Sequence, residues 1–271
     1  SGGYKMILND DNYFSQESNE HYMSVSQFKQ GIEELGGCEA RMVAELKDEY
    51  KRPYSAALTV GSYIHGAFEE EVVFHNFHLD NKNVIFNKKG EKYADFKQAD
   101  KMIQTLKDDP FCMYALTGEK EVIYNGELFG VEWKIKIDNI NHEKGFFSDI
   151  KSTQELRKRY WSDRHKRFVS FIDMYGYDIQ MAVYQEIIRQ NTGHIYNPFV
   201  VAVTKESTPD KAIIHFDEEE LKNALEYVSE HIDSVVAAKI GQRDAYRCEK
   251  CEYCRQTKKL TTTIGVEDLL K

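Results

Sequence analysis

The stretch GFFSDIKST, residues 145–153, decides the fold. It sets an acid, one apolar residue and a lysine between two aromatics and two hydroxyls. As an extended strand it places Asp149 and Lys151 on one face and Ile150 on the other, because side chains alternate with a period of two. Immediately upstream, Val131–Ile137 alternates Trp133, Ile135 and Ile137 with Glu132, Lys134 and Lys136, and Asp138 follows. That pattern predicts a half-buried strand. The turn-forming run 141–145 joins the two strands into a hairpin, so Asp138, Asp149 and Lys151 converge on one patch. Acid-x-Lys recurs elsewhere in the chain, as at Glu45-Leu46-Lys47, Glu49-Tyr50-Lys51, Asp80-Asn81-Lys82, Asp95-Phe96-Lys97 and Glu220-Leu221-Lys222. Only the one at Asp149 follows a strand that ends in an acid.

Paired carboxylates with a lysine suit phosphodiester hydrolysis. Hard oxygen ligands hold Mg²⁺ or Mn²⁺, the ion polarises the phosphate, and an ammonium orients water or offsets transition-state charge. By spacing alone, the same residues equally describe a cross-strand ion pair on a solvent face. Two other segments bear on the choice. In GSYIHGAFEE, His65 lies on a predicted helix spanning 59–75, with Glu69 one turn later and Ile64, Phe68 and Val72 on one stripe. An imidazole there can serve as a third metal ligand or sit in the core as a satisfied histidine. On a second helix, 177–190, Gln180 and Tyr184 share a face, and Ile179, Val183 and Ile187 point inward.

In order, GSxxH, an acid ending a strand, Asp-x-Lys and Q-x-x-x-Y resemble the motif string of RecB-type nucleases in the PD-(D/E)xK superfamily. The pattern is similar to phage-type recombination exonucleases related to exodeoxyribonuclease VIII, over about residues 24–260. The resemblance implies a restriction-endonuclease-like α/β core in a single domain and a Mg²⁺-dependent DNA exonuclease leaving 5′-phosphate products in recombination or repair. By position, it implies that His65, Asp138 and Asp149 hold metal and Lys151 is the catalytic lysine, while Gln180 and Tyr184 support substrate binding. It also implies a single-strand annealing protein as partner, and relatives that form rings around DNA make an oligomer a matching expectation. Ile137 stands where relatives carry proline, and Asp149 where many carry glutamate. An endonuclease with the same site and a non-catalytic DNA-binding or recruitment module on the same fold are the other readings.

The remaining elements follow from periodicity and caps. Helices are expected over 24–47, interrupted at Gly36-Gly37, and over 91–117 with a turn at Asp109-Pro110. Strands are expected over 198–204 and 211–216. A long helix begins at Asp217, with Glu220 completing a capping box, and ends at Gly241. The sum is a central mixed sheet flanked by helices.

The chain has 271 residues, 41% hydrophobic and 13% aromatic, with a net charge of −9. No stretch approaches a membrane helix, and Ser1-Gly2-Gly3 looks like a cloning remnant. The overall acidity weighs against a general nucleic-acid coat protein but not against a local groove. Residues 151–167 hold seven Lys/Arg against two acids, with Tyr160 and Trp161 among them. Arg157 and Arg159 of this run are candidate DNA contacts, against the plainer reading of a solvated charged helix face.

Five cysteines without a secretory signal point to a reducing cytoplasm. Cys248, Cys251 and Cys254 follow C-x2-C-x2-C, a tight thiolate run, and Cys38 is the candidate fourth ligand. Zinc suits four thiolates, and unliganded thiols are the plain alternative. Similarity in order to CRISPR-associated nucleases and the AddB subunit implies a [4Fe–4S] cluster, although the third tail cysteine comes sooner here.

Overall fold

The computed structural model describes residues 6–270; the Ser1-Gly2-Gly3 opening lies outside them. In chain order the helices before the sheet are α1 (Gln16–His21), α2 (Val25–Gln30), α3 (Glu39–Leu46), α4 (Ala56–Gly66), α5 (Glu71–Asp80), α6 (Lys82–Ile85), α7 (Ala94–Lys107) and α8 (Pro110–Ala115). There follow β1 (Glu119–Leu128), β2 (Val131–Asn141), β3 (Phe146–Thr153), the short strands β4 (Tyr160–Ser162) and β5 (Arg167–Val169), and α9 (Phe171–Met174). The chain then forms α10 (Tyr177–Thr192), β6 (Asn197–Thr204), β7 (Lys211–His215), α11 (Glu218–Lys239) and α12 (Glu252–Gln256).

Five strands form one sheet in the order β1-β2-β3-β6-β7. Only the β3–β6 pair is parallel, so the sheet is mixed. β6 is buried on both faces, as expected for a parallel strand covered by helices. Val200 and Ala202 face one apolar cluster and Val201 and Val203 the other. The first cluster packs α10 and α11 through Ile179, Val183, Ile187, Val228 and Val235. The second packs α4 and α7 through Tyr63, Ile64, Met102 and Leu106. Phe147 belongs to the first and Ile150 to the second. Period two therefore assigns Asp149 and Lys151 to the α10 side of β3.

Local chemistry sets the ends. Ser24 accepts from the Gln27 N–H at 3.2 Å to start α2, Asp109 caps α8, and Asp217 with Glu220 forms the expected capping box. Gly37 approaches the α2 carbonyls so closely that a Cβ would lie 2.4 Å from the Gln30 oxygen. That close turn delivers Cys38 to the start of α3.

Three sequence expectations need correction. The helix over 59–75 is two helices: the chain turns at 67–70, where Gly66 seats against the Phe74 ring, and Val72 is exposed. The basic run is a β4–β5 hairpin rather than a helix face. β1, which alternation does not signal, pairs along most of β2. The presumed polar face of β2 is also covered, with Lys134 only 2% exposed. Its ammonium donates to the Tyr13 carbonyl, to Ser18 Oγ at 3.0 Å and to Asn19 Oδ1 at 2.6 Å, all from the segment before α2. Among the described residues no helix is long and apolar enough to cross a membrane.

Candidate active site

The β2–β3 ladder pairs Asn139 with Ser148, and Asn141 with Phe146. Asp138 and Asp149 are the next positions along that register, where pairing stops and the strands part. Both Ile137 and Ile140 enter the same core cluster, so the alternation of β2 slips one position at Asp138–Asn139. The splayed strands leave a gap edged by two carboxylates, into which α4 brings His65 from one side and α10 brings Gln180 from the other.

His65, Asp138 and Asp149 each offer a ligand atom, and these atoms lie within 4.8 Å of one another. His65 Nδ1 is 2.8 Å from Asp138 Oδ2. Lys151 Nζ is 3.1 Å from Asp149 Oδ2, which also accepts from Gln180 Nε2 at 2.6 Å. Asp138 Oδ2 and Asp149 Oδ1 are buried and lack an aligned hydrogen-bond donor. Buried carboxylate oxygens rarely stay without a hydrogen bond; Asp149 Oδ1 has none and Asp138 Oδ2 has only the poorly aligned His65 ring beside it, an arrangement that fits a divalent cation with oxygen and nitrogen ligands.

The electrostatics agree with that geometry. Burial, then the nearby Asp149 charge, pushes the Asp138 carboxyl up to about 7. Burial opposes the His65 imidazolium, but Asp138 outweighs it and lifts His65 to about 9. Burial would also raise Asp149, yet Lys151 holds it below the ordinary carboxylate range. Against its own desolvation, Lys151 is kept charged by Asp149 and Asp138. Lys151 and the His65 imidazolium thus balance two acids that repel each other, and a divalent cation bound by His65 would take the place of the imidazolium proton.

Cavities meet at this cluster. One of about 570 Å³ runs toward α2 and α3, and another of about 410 Å³ runs along α4 and α5. Asp138, Lys151, Gln180 and Tyr184 line both. A third, of about 330 Å³, opens from Lys151 past Tyr177. Gln180 is engaged with Asp149, and the Tyr184 ring stacks near Phe147 at a centroid distance of 6.4 Å. Arg157 and Arg159 stand exposed on the loop and hairpin beyond the cavity walls. Glu69 leaves the helical register of His65 but still lines the second cavity.

Two further residues at the site carry no sequence signal. Glu121 lies on the unpredicted β1 with a left-handed φ of 56°, and lines both larger cavities. Lys29, on short α2, donates to the Tyr175 carbonyl at 2.9 Å and stands 5.5 Å from the Tyr177 ring. Burial, then Lys151, brings Lys29 down to about 8.

A second cluster lies at the tail. Cys38, Cys248, Cys251 and Cys254 offer sulfurs all within 4.8 Å of one another, Cys38 and Cys254 at 3.6 Å. The backbone N–H of Cys251 donates to Cys248 Sγ and that of Cys254 to Cys251 Sγ, at 3.3 and 3.5 Å. Burial would raise the Cys248 thiol, but the backbone N–H groups of Cys251 and Lys250 bring it down to about 7. A tetrahedral ion with bonds of ~2.3 Å sets sulfurs roughly 3.8 Å apart. A cubane holds its cysteines at separate irons, so an iron–iron edge and two iron–sulfur bonds separate each pair of sulfurs. Four sulfurs gathered this closely are compatible with a metal centre held by the four thiolates.

A mixed sheet that splays to present Asp138 and Asp-x-Lys, with His65 beside them, is the architecture of PD-(D/E)xK nucleases. The comparisons agree: residues 24–257 match the model of a PDDEXK-like domain of unknown function (DUF3799), and the chain belongs to that family. The crystal structure of a "Putative exonuclease" from Eubacterium rectale is 38% identical, covers 98% of each chain and superposes with a TM-score of 0.92. A second solved structure, SSO0001, is 14% identical over 80% of this chain and 91% of its own, with a TM-score of 0.28, too low to support a comparison of folds. No curated protein matches.

Proposed function

We propose that this protein is a metal-dependent exonuclease that degrades duplex DNA from an end and leaves 5′-phosphates. The observation that carries the reading is the pair of buried carboxylate oxygens without an aligned donor, on Asp138 and Asp149. Together with His65 they would hold Mg²⁺ or Mn²⁺, which would polarise the scissile phosphate. Lys151, kept protonated by its acids, orients a water for in-line attack on phosphorus, and the 3′-oxygen leaves. Gln180 positions Asp149, and His65 positions Asp138. The cavities leading away from Lys151 accommodate strands on either side of the cut. A role in phage-type recombination with a single-strand annealing protein, and assembly of several copies around DNA, follow from the resemblance. The cysteine cluster would hold one zinc ion as a staple away from the chemistry.

The test incubates linear and covalently closed circular duplex DNA with Mg²⁺, Mn²⁺ or EDTA, beside a Lys151→Ala variant. Loss of the linear form alone, dependent on metal and on Lys151, is expected. Cutting of the circle would make the protein an endonuclease. No cutting of either form with any metal would favour the DNA-binding module.

A further inference from the structure

We propose that the β4–β5 hairpin and a row of tyrosines behind it form a track for an unpaired DNA strand leading to Lys151. This rests on the nuclease reading and refines its substrate to ends that carry single-stranded nucleotides.

The hairpin exposes what a soluble protein usually hides. Trp161 and Phe168 are 52% and 53% exposed, and their rings meet edge-on at 5.6 Å. The Trp161 indole N–H donates to Asp163 at 3.3 Å, which fixes the ring outward. The Arg159 guanidinium lies over the Phe168 ring at 5.1 Å, and the Lys158 ammonium over Tyr160 at 5.4 Å. Around them Arg157, Lys166 and Arg167 are exposed. The turn of the hairpin, residues 163–166, is anchored by a buried ion pair, Arg164 to Asp178 at 2.9 Å.

From the open end of the hairpin, at Tyr160, the rings continue inward. Tyr160 meets Tyr175 at 5.7 Å, Tyr175 meets Tyr177 at 5.9 Å, and the Lys151 ammonium stands 4.6 Å from the Tyr177 ring. Tyr175 itself is 45% exposed. The row ends at the residue proposed to orient the water.

Basic residues alone would serve the phosphates of any DNA. Exposed ring faces add a condition, since base faces are open to stacking only where the strand is unpaired. In a chain of net charge −9, a basic patch interleaved with rings and leading to an acidic catalytic pocket suits a polyanion that must be steered in by stacking as well as charge.

The chain has two tryptophans, and Trp133 is fully buried. Intrinsic fluorescence therefore reports on Trp161. In EDTA, oligo(dT) of about 12 nucleotides should quench the exposed emission, whereas a blunt-ended linear duplex of two strands should not. Phe168→Ala should weaken oligo(dT) affinity about tenfold or more, and Arg159→Ala, exposed and outside the core, should weaken it in the same sense. Equal quenching by both DNAs, no quenching by either, or variants that bind like the wild type would overturn the track. Metal-dependent cleavage without quenching removes the track and leaves the nuclease reading. Quenching without any cleavage does the reverse.

Discussion

At the scale of single residues, the candidate site sets two like charges side by side, and a divalent cation would relieve their repulsion. Half-buried Asp138 and buried Asp149 lie side by side; the first carboxyl is pushed up to about 7 while Lys151 holds the second low. A ligand that binds only the folded state stabilises it by mass action, about 1.4 kcal/mol at ten times its Kd. Mg²⁺ should therefore raise the melting temperature of the wild type. Asp149→Asn, which keeps the shape and removes the charge, should abolish that rise, as thermal melts with and without Mg²⁺ would show. An equal rise in the variant would place the ion elsewhere. The residues of this site were legible as an ordered set. Asp138, Asp149 and Lys151 follow from alternation and a hairpin turn. Lys29 and Glu121 do not, because only the packing of α2 and the pairing of β1 bring them near.

At the scale of elements, α3 shows how a helix start fastens a distant segment. Glu39, in its first turn and 10% exposed at the side chain, accepts two bonds of 2.7 Å from Arg243 and one of 2.9 Å from the Tyr246 N–H. Burial would raise the Glu39 carboxyl, but these donors hold it below its ordinary 4.5. The folded state thus binds that proton less readily than the unfolded state does. The contribution is full above pH 4.5 and is lost as pH falls through the lowered value. Glu39→Gln should cost about 1 to 2 kcal/mol, discounted for the half-exposed Arg243. It should also remove the part of the wild type's acid sensitivity below pH 4.5 that comes from this carboxylate, read by hydrogen exchange of the tail. Element types were largely legible here, since α10, α11, β3 and β6 have clear periods and caps. The split between α4 and α5 was not, because an apolar stripe continues across 67–70 while packing of Gly66 on Phe74 turns the chain.

At the scale of the molecule, the cysteine cluster joins the region before α3 to the chain after α11. Cys38 and Cys254 are separated by 216 positions, yet their sulfurs are 3.6 Å apart. An ion bridging them closes most of the chain into one loop, and its binding energy counts toward folding. The purified protein should carry about one zinc per chain by elemental analysis and show no iron–sulfur absorbance. Cys254→Ser should lose the metal and melt several degrees lower. Iron in stoichiometric excess over zinc would instead support the cubane.

The sequence by itself determined most of the strands and helices, β1, the β4–β5 hairpin and the break between α4 and α5 excepted, because hydrophobic period and capping residues act over a few neighbours. It also determined the chemical set at the site, because acid, acid, lysine and histidine recur in a telling order. Only the tertiary structure decided the rest. The parting of β2 from β3 leaves the two carboxylates facing each other, and the segment before α2 buries Lys134. The packed layers bring four sulfurs from distant parts of the chain within 4.8 Å of one another. These outcomes depend on contacts between residues far apart in the chain, where burial and close approach, rather than local preference, set the energy.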